Sequence, residues 1–120
     1  MYWKDLDVWK RAHELVLKVY QIIAKFPDSE KYALSDQLKR AAYSVPANIV
    51  EGHSRKTSKE FLQFLYQARG SLEELRYFIF LSKDVNYISN DSYARLEAES
   101  VDVSKMLNGL INSVKHKINS

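Results

Sequence analysis

The strongest candidates for chemistry in this sequence are basic residues in the first half of the chain. Between positions 31 and 59 there are six lysines and arginines but only two acidic residues. Lysine and arginine attract phosphate groups, which dominate the affinity of proteins for nucleic acids. The pattern therefore predicts binding to RNA or DNA by charge and shape rather than by base sequence. The candidate residues are Lys39, Arg40, Arg55, Lys56 and Lys59.

For a single copy of the chain, this basic cluster has a simpler explanation as a solvated polar face. The formal charge of the whole chain is only +3 at pH 7, which does not by itself establish a partner. If several copies form a ring, however, the cluster is repeated around it and becomes a positive belt. The nucleic-acid prediction therefore depends on self-association.

Patterns typical of enzymes and metal sites are missing from the sequence. There is no cysteine, so disulfides, thiolate metal ligands and cysteine nucleophiles are excluded. Di-iron helical bundles use Glu-x-x-His pairs, whereas Glu51-Gly52-His53 has the wrong spacing. Ser54 directly follows His53, and adjacent residues of a helix do not face each other. We therefore expect no enzyme activity, no bound metal and no cofactor.

A second polar group has a structural interpretation. Asn48 lies one residue before Ile49, a predicted core position, and Glu51 follows within a turn. A polar side chain near a core needs hydrogen-bond partners. Arg69 is adjacent to the predicted core residue Ala68 on the next helix, so we expect it to pair with Glu51. Asn48, Glu51 and Arg69 would then form a structural polar cluster. The alternative is that they form a ligand site.

The elements that position these residues are predicted to be four helices. Three glycines and two prolines in 120 residues indicate long regular elements. Apolar residues recur every three or four positions, which is typical of amphipathic helices. Short connections make sequential helices antiparallel. The prediction is an all-α, up-down-up-down four-helix bundle in one domain over residues 1–120. The first expected helix covers about 6–26, and the second runs from Asp28 or Ser29 to about His53. The third begins at Thr57 and ends between Lys83 and Asn86. The fourth begins at Ser89, Asn90 or Asp91 and continues almost to the end of the chain.

Local signals refine these helices. Asp5 or Asp7 is expected to cap the first helix, and Thr57 followed by Glu60 resembles a capping box. Pro46 lies inside the apolar pattern of the second helix and predicts a kink there. Two helices meeting at Ser44–Pro46 are the alternative. Gly70, in the middle of the third helix, predicts that another helix approaches it closely.

One segment is too apolar for a monomeric bundle. Residues 77–81 read Tyr-Phe-Ile-Phe-Leu, which is apolar around the whole helix. In a four-helix monomer each helix keeps one face in water, so we expect another subunit to cover part of this segment. The candidate interface residues are Tyr2, Trp3, Tyr77, Phe78, Phe80 and Leu81. The sequence shows no signal peptide and no apolar run that could span a membrane, so we expect a cytoplasmic protein without a membrane partner.

Several stretches together resemble a known family. The most specific is Arg-Ala-x-x-Ser-x-Pro-x-Asn-Ile-x-Glu-Gly, which begins at Arg40 and ends at Gly52. The resemblance covers roughly residues 2–88 and is to the four-helix bundle proteins encoded in intervening sequences of bacterial 23S ribosomal RNA genes. The other matching stretches are Asp5–Trp9, Phe26–Leu34, Arg55–Phe61 and Leu65–Leu75.

This resemblance implies more than the residues alone predict. It implies a homopentamer of antiparallel bundles and a helix that is continuous through Pro46. A related branch contains the accessory protein of diversity-generating retroelements, which works with a reverse transcriptase and nucleic acid. By analogy with that branch, the resemblance implies that this chain is a non-enzymatic, oligomeric scaffold that binds RNA or DNA and also binds a protein partner. The alternative is a protein-interaction adaptor that does not bind nucleic acid.

Overall fold

The chain folds into four antiparallel helices. A computed structural model describes residues 2–120, in which the helices are α1 (Asp7–Ile23), α2 (Leu34–His53), α3 (Ser58–Asp84) and α4 (Asn90–Asn119). Single 3-10 turns lie at Trp3–Asp5 and Asp28–Glu30. The described part contains no strand and measures 49 × 24 × 20 Å. The all-α, four-helix fold class predicted from the sequence is confirmed.

Each helix packs against two others around one apolar core. α1 contacts α2 and α4, and α3 contacts the same two helices, so α1 and α3 occupy diagonally opposite corners. Leu38, Ile49, Leu65, Leu72 and Leu107 are among the side chains that are completely buried. The predicted apolar stripes supply most of this core, although Ile111 rather than Leu110 is the buried residue in that turn of α4. Within the described residues, no helix is long and apolar enough to cross a membrane.

Local chemistry sets several helix ends as the sequence predicts. The Thr57 hydroxyl oxygen accepts a hydrogen bond from the Glu60 amide at 3.1 Å. Ser89 caps α4 in the same way, accepting from the Ser92 amide at 3.0 Å. After α3, Asn86 adopts a left-handed conformation with φ 67°, and the Tyr87 amide donates back to the Ser82 carbonyl at 2.9 Å. This is the Schellman arrangement, in which asparagine replaces the more usual glycine.

Two predicted helix starts are wrong. α2 begins at Leu34, because Asp28 and Ser29 form a separate 3-10 turn instead of capping it. The Glu30 carboxylate satisfies the Leu34 amide at 3.2 Å. At the start of α1, Leu6 occupies the cap position, and no side chain in the described part of the chain caps the helix, so the expected caps from Asp5 or Asp7 do not form.

The segment around Pro46 is a single helix. α2 runs without interruption from Leu34 to His53 with Pro46 buried inside it. The alternative of two helices meeting at Ser44–Pro46 is therefore wrong. The kink expected from the missing amide hydrogen bond stays a prediction.

The close approach between helices is at a different glycine from the one predicted. Gly70 is exposed, and a Cβ atom added there would meet no atom within 4 Å. A Cβ atom at Gly52 would lie 2.6 Å from the Cβ of Phe64 and 3.0 Å from the ring of Phe61. Gly52 therefore lets the end of α2 rest directly on the first turns of α3.

Candidate nucleic-acid interface

The structure divides the predicted basic residues into two groups. Arg40 and Arg55 are fifteen residues apart, which corresponds to about 20 Å along a helix. Arg55 and Lys56 lie in the turn between α2 and α3, and Lys59 lies in the first turn of α3. Lys39 and Arg40 lie instead near the start of α2. The five residues are therefore not one continuous surface.

A residue from the far end of the chain joins the first group. Lys117, in the last turn of α4, lines an open cleft together with the α2–α3 turn. We call Arg55, Lys56, Lys59 and Lys117 the basic end of the bundle. Arg55, Lys56 and Lys117 line the cleft, and Lys59 lies next to it in the first turn of α3. The other cleft residues are Gly52, His53, Thr57, Ser58 and Phe61. Two hydroxyl groups and several cations therefore surround one concave surface.

The four cations of the basic end differ in how far their charge is already neutralised. Arg55 donates to the Glu51 carboxylate at 3.1 Å, and its guanidinium lies 4.8 Å from the centre of the Phe64 ring. Throughout residues 2–120, no carboxylate lies within 4 Å of Lys56, Lys59 or Lys117. These three ammonium groups are exposed and available to an anion.

The backbone adds to this positive field. The Glu60 and Phe61 amides are bonded to the Thr57 side chain and carbonyl, respectively. The Ser58 and Lys59 amides precede them at the start of α3 and have no acceptor among the described residues. The free amides and the helix dipole both favour a negative charge at this end. A phosphate group carries such a charge.

Lys39 and Arg40 have a different environment. Arg40 pairs with Asp36 one turn earlier, with 3.5 Å between Nε and Oδ2. The ammonium group of Lys39 lies 5.6 Å from the centre of the Tyr20 ring of α1. Lys39 therefore belongs to the side of the bundle formed by α1 and α2, and Arg40 is paired within α2, so neither is part of the basic end.

The predicted polar cluster is also divided. Asn48 donates to the Ser44 carbonyl at 2.8 Å and to its hydroxyl at 3.0 Å, and that hydroxyl bonds to Ser71 of α3 at 2.9 Å. Glu51 instead pairs with Arg55. Arg69 donates to Asn108 of α4 at 3.3 Å, so the expected pair with Glu51 does not form. The side chain of Arg69 is directed towards α4, whereas Glu51 lies on α2.

The candidate interface residues are only partly exposed in one copy. Tyr2, Tyr77 and Phe80 are exposed, while Trp3, Phe78 and Leu81 are half-buried. Trp3 packs edge-on against Trp9 of α1, with 4.8 Å between ring centres. Trp3 therefore packs on its own bundle, while the rings of Tyr2, Tyr77 and Phe80 are exposed to solvent.

Sequence reasoning missed Lys117. Its position at the basic end follows from the antiparallel return of α4 along α3. The signal was available, because two helices of 27 and 30 residues joined by a short turn must bring their distant ends together. Among the described residues, no three His, Asp or Glu side chains are grouped in a way that suits a metal ion.

Comparisons with known proteins agree with this fold. Residues 4–109 match the family model described as 23S rRNA-intervening sequence protein. The fold is also similar to the crystal structure of a protein of unknown function from the S23 ribosomal protein family of Bacteroides thetaiotaomicron. That similarity has a TM-score of 0.80 at 23% identity and covers 87% of this chain and 97% of the other. No curated protein matches the sequence. The chain belongs to the 23S rRNA-intervening sequence protein family.

Proposed function

We propose that this chain is a non-catalytic, self-associating bundle that binds the sugar-phosphate backbone of RNA or DNA through its basic end. The observation that supports this most is that Lys56 and Lys117 line one cleft, with Lys59 in the adjoining first turn of α3, and that none of the three has a carboxylate within 4 Å among residues 2–120. Two of these lysines flank the start of α3, and the third comes from the end of α4.

The arrangement suits phosphates better than bases. Three ammonium groups, two free amides and the hydroxyls of Thr57 and Ser58 are all able to contact phosphate oxygens. Phosphate contacts carry no sequence information, whereas reading bases needs side chains inserted into a groove or aromatic rings on which bases stack. We therefore expect binding that depends on chain length and salt and little on sequence.

Self-association strengthens this binding. One basic end has three free lysines, and each phosphate contact is worth little at physiological salt. Several copies on one nucleic-acid strand turn later contacts into intramolecular ones, which raises the apparent affinity without new contacts. The exposed rings of Tyr77 and Phe80 on α3 support this association.

The experiment is a titration of fluorescent single-stranded RNA and duplex DNA at 50, 100 and 200 mM salt. The proposal expects binding that weakens steeply with salt and that differs little between scrambled sequences. Absence of binding to either nucleic acid at 50 mM salt would refute it. If the purified protein then retains a specific protein partner instead, it is an adaptor.

A further inference from the structure

Four aromatic side chains near the start of the chain are packed ring against ring. Tyr2 lies against Trp3 with 5.1 Å between ring centres, and Trp3 meets the edge of Trp9 at 4.8 Å. Trp9 in turn is stacked on His13, with 5.1 Å between ring centres and 6° between the ring planes. We call these four residues the aromatic series. Its inner members, Trp3 and Trp9, are half-buried, whereas Tyr2 and His13 are exposed, so each end of the series has a ring in contact with solvent.

The aromatic series lies at the end of the bundle that carries the basic end. Lys39 of α2 lies over the Tyr20 ring of α1, so these two residues are about level along the bundle. The helices are antiparallel, and thirteen residues further towards the start of α1 and the end of α2 bring Asp7 level with Gly52. Gly52 lines the cleft of the basic end, and the turn Trp3–Asp5 packs on α2. The exposed rings and the cleft therefore belong to the same end of the molecule.

The charges around the aromatic series are balanced. Residues 2–14 contain three cationic and three acidic side chains, namely Lys4, Lys10, Arg11, Asp5, Asp7 and Glu14. Lys4 lies 5.7 Å from the centre of the Tyr2 ring and 5.5 Å from that of Trp3. Arg11 is already paired with Glu14 and Asp102. A phosphate backbone therefore gains little from the charge of this segment, and what the segment offers to a ligand is its rings.

We propose that single-stranded nucleic acid binds with its phosphates at the basic end and an unpaired base stacked on the aromatic series. This inference rests on the proposed function and names the class of strand that it prefers. Every base has a π face, so stacking on an aromatic side chain adds affinity without a preference for sequence.

A duplex cannot use the aromatic series in this way. Its bases are paired and already stacked on one another, so it contacts the chain through its phosphates. The cations of the basic end attract both kinds of strand, because phosphate contacts carry no information about pairing. Preference for a single strand therefore comes from the rings, and loss of the rings should remove the preference while leaving phosphate binding intact.

Tryptophan fluorescence tests this contact in the unmodified chain. Trp3 and Trp9 are the two tryptophans of the sequence, and both belong to the aromatic series. Single-stranded RNA at saturation should quench their emission, because a stacked base contacts the series. Duplex DNA and inorganic polyphosphate, which offer phosphates but no unpaired base, should bind and leave the emission nearly unchanged. Equal quenching by all three would overturn the proposal.

Removal of the two exposed rings tests the same contact by affinity. Tyr2→Ala/His13→Ala should weaken the binding of single-stranded RNA by about tenfold, the change expected for the loss of one stacked base. Its affinity for inorganic polyphosphate should hardly change, because the basic end is intact. Tyr2→Phe/His13→Phe keeps both rings and should keep the RNA affinity. Tyr32→Ala is the control, since Tyr32 is 88% exposed and lies outside the series.

Three results with these variants would overturn the proposal. Wild-type RNA affinity in the alanine variant would show that bases do not contact the rings. An equal loss of RNA and polyphosphate binding would show that the rings only support the basic end. A changed mass in light scattering would assign the rings to a contact between copies of the chain. Failure of the proposed function looks different, because the wild type would then bind neither RNA nor polyphosphate, and both proposals would be refuted together.

Discussion

The two ends of the bundle use their polar groups differently. At the end opposite the basic end, Glu30 accepts from the Leu34 amide and from the Tyr87 hydroxyl at 3.0 Å, so it links the α1–α2 connection to the turn after α3. At the basic end, Lys56, Lys59 and Lys117 have no such side-chain partners among residues 2–120. Polar groups bonded within the chain stabilise the fold, whereas unbonded ones are available to a ligand.

The largest expected effect concerns the packing that supports the basic end. Gly52→Val would place a branched side chain against Phe64, where even a Cβ atom would be 2.6 Å from its neighbour. Overpacking of this kind costs about 3 kcal/mol in the free energy of unfolding, measured by urea denaturation. Gly70→Ala is the matched control. It should stabilise α3 by about 1 kcal/mol, since the site is open. A stable Gly52→Val variant would contradict the close approach.

The next effect separates binding from stability at the basic end. Lys56→Ala/Lys59→Ala/Lys117→Ala should weaken RNA binding at 50 mM salt by roughly 30-fold, because three phosphate contacts are lost. The melting temperature should hardly change, since these lysines form no ion pair within the described residues 2–120. The control is Lys25→Ala/Lys31→Ala/Arg95→Ala, which removes the same charge nearer the opposite end. Equal losses in both variants would show that only net charge matters.

A smaller effect is expected from the opposite end. Glu30→Ala removes the acceptor of the Leu34 amide and should lower the free energy of unfolding by about 1 kcal/mol, as loss of a helix cap does. RNA affinity should stay within twofold of the wild type. If this variant instead lost RNA binding while remaining folded, the division of roles between the two ends would be wrong.

The smallest effect is a dependence on pH at that same end. The hydrogen bond to Glu30 raises the pKa of Tyr87, with burial as a lesser cause. A group whose pKa is raised on folding contributes stability below its unfolded pKa of about 10 and loses it as the pH rises through the folded value. The melting temperature of the wild type should therefore exceed that of Tyr87→Phe at pH 8, with the gap closing above pH 10. A constant gap would contradict this assignment.

Signals that act within a few residues were predictable from the sequence. Thr57, Asn86 and Ser89 set helix ends by contacts with their immediate neighbours, and the structure confirms all three. The continuity of α2 through Pro46 also followed from the apolar spacing. In each case the interacting residues lie within about one helical turn of each other, where their separation in sequence fixes their relative positions.

Features that depend on how helices face one another were less predictable. Gly70 and Gly52 both lie in or near helices, and only the packing reveals that Gly52 faces α3 while Gly70 faces outwards. Lys39 and Lys59 belong to one run of charge in sequence but are separated by the length of α2. Lys117 completes the basic end because α4 returns along α3. Counting charges along the sequence cannot predict which of them lie close together in the folded chain.

Hydrogen–deuterium exchange of the RNA complex tests the central claim most directly. The free amides of Ser58 and Lys59 should exchange quickly in the protein alone and slowly with RNA. Protection should be largest in peptides covering residues 53–61 and 113–120. Protection confined to the α1–α2 side around Tyr20 and Tyr43, or unchanged exchange at the start of α3 with RNA bound, would contradict binding through the basic end.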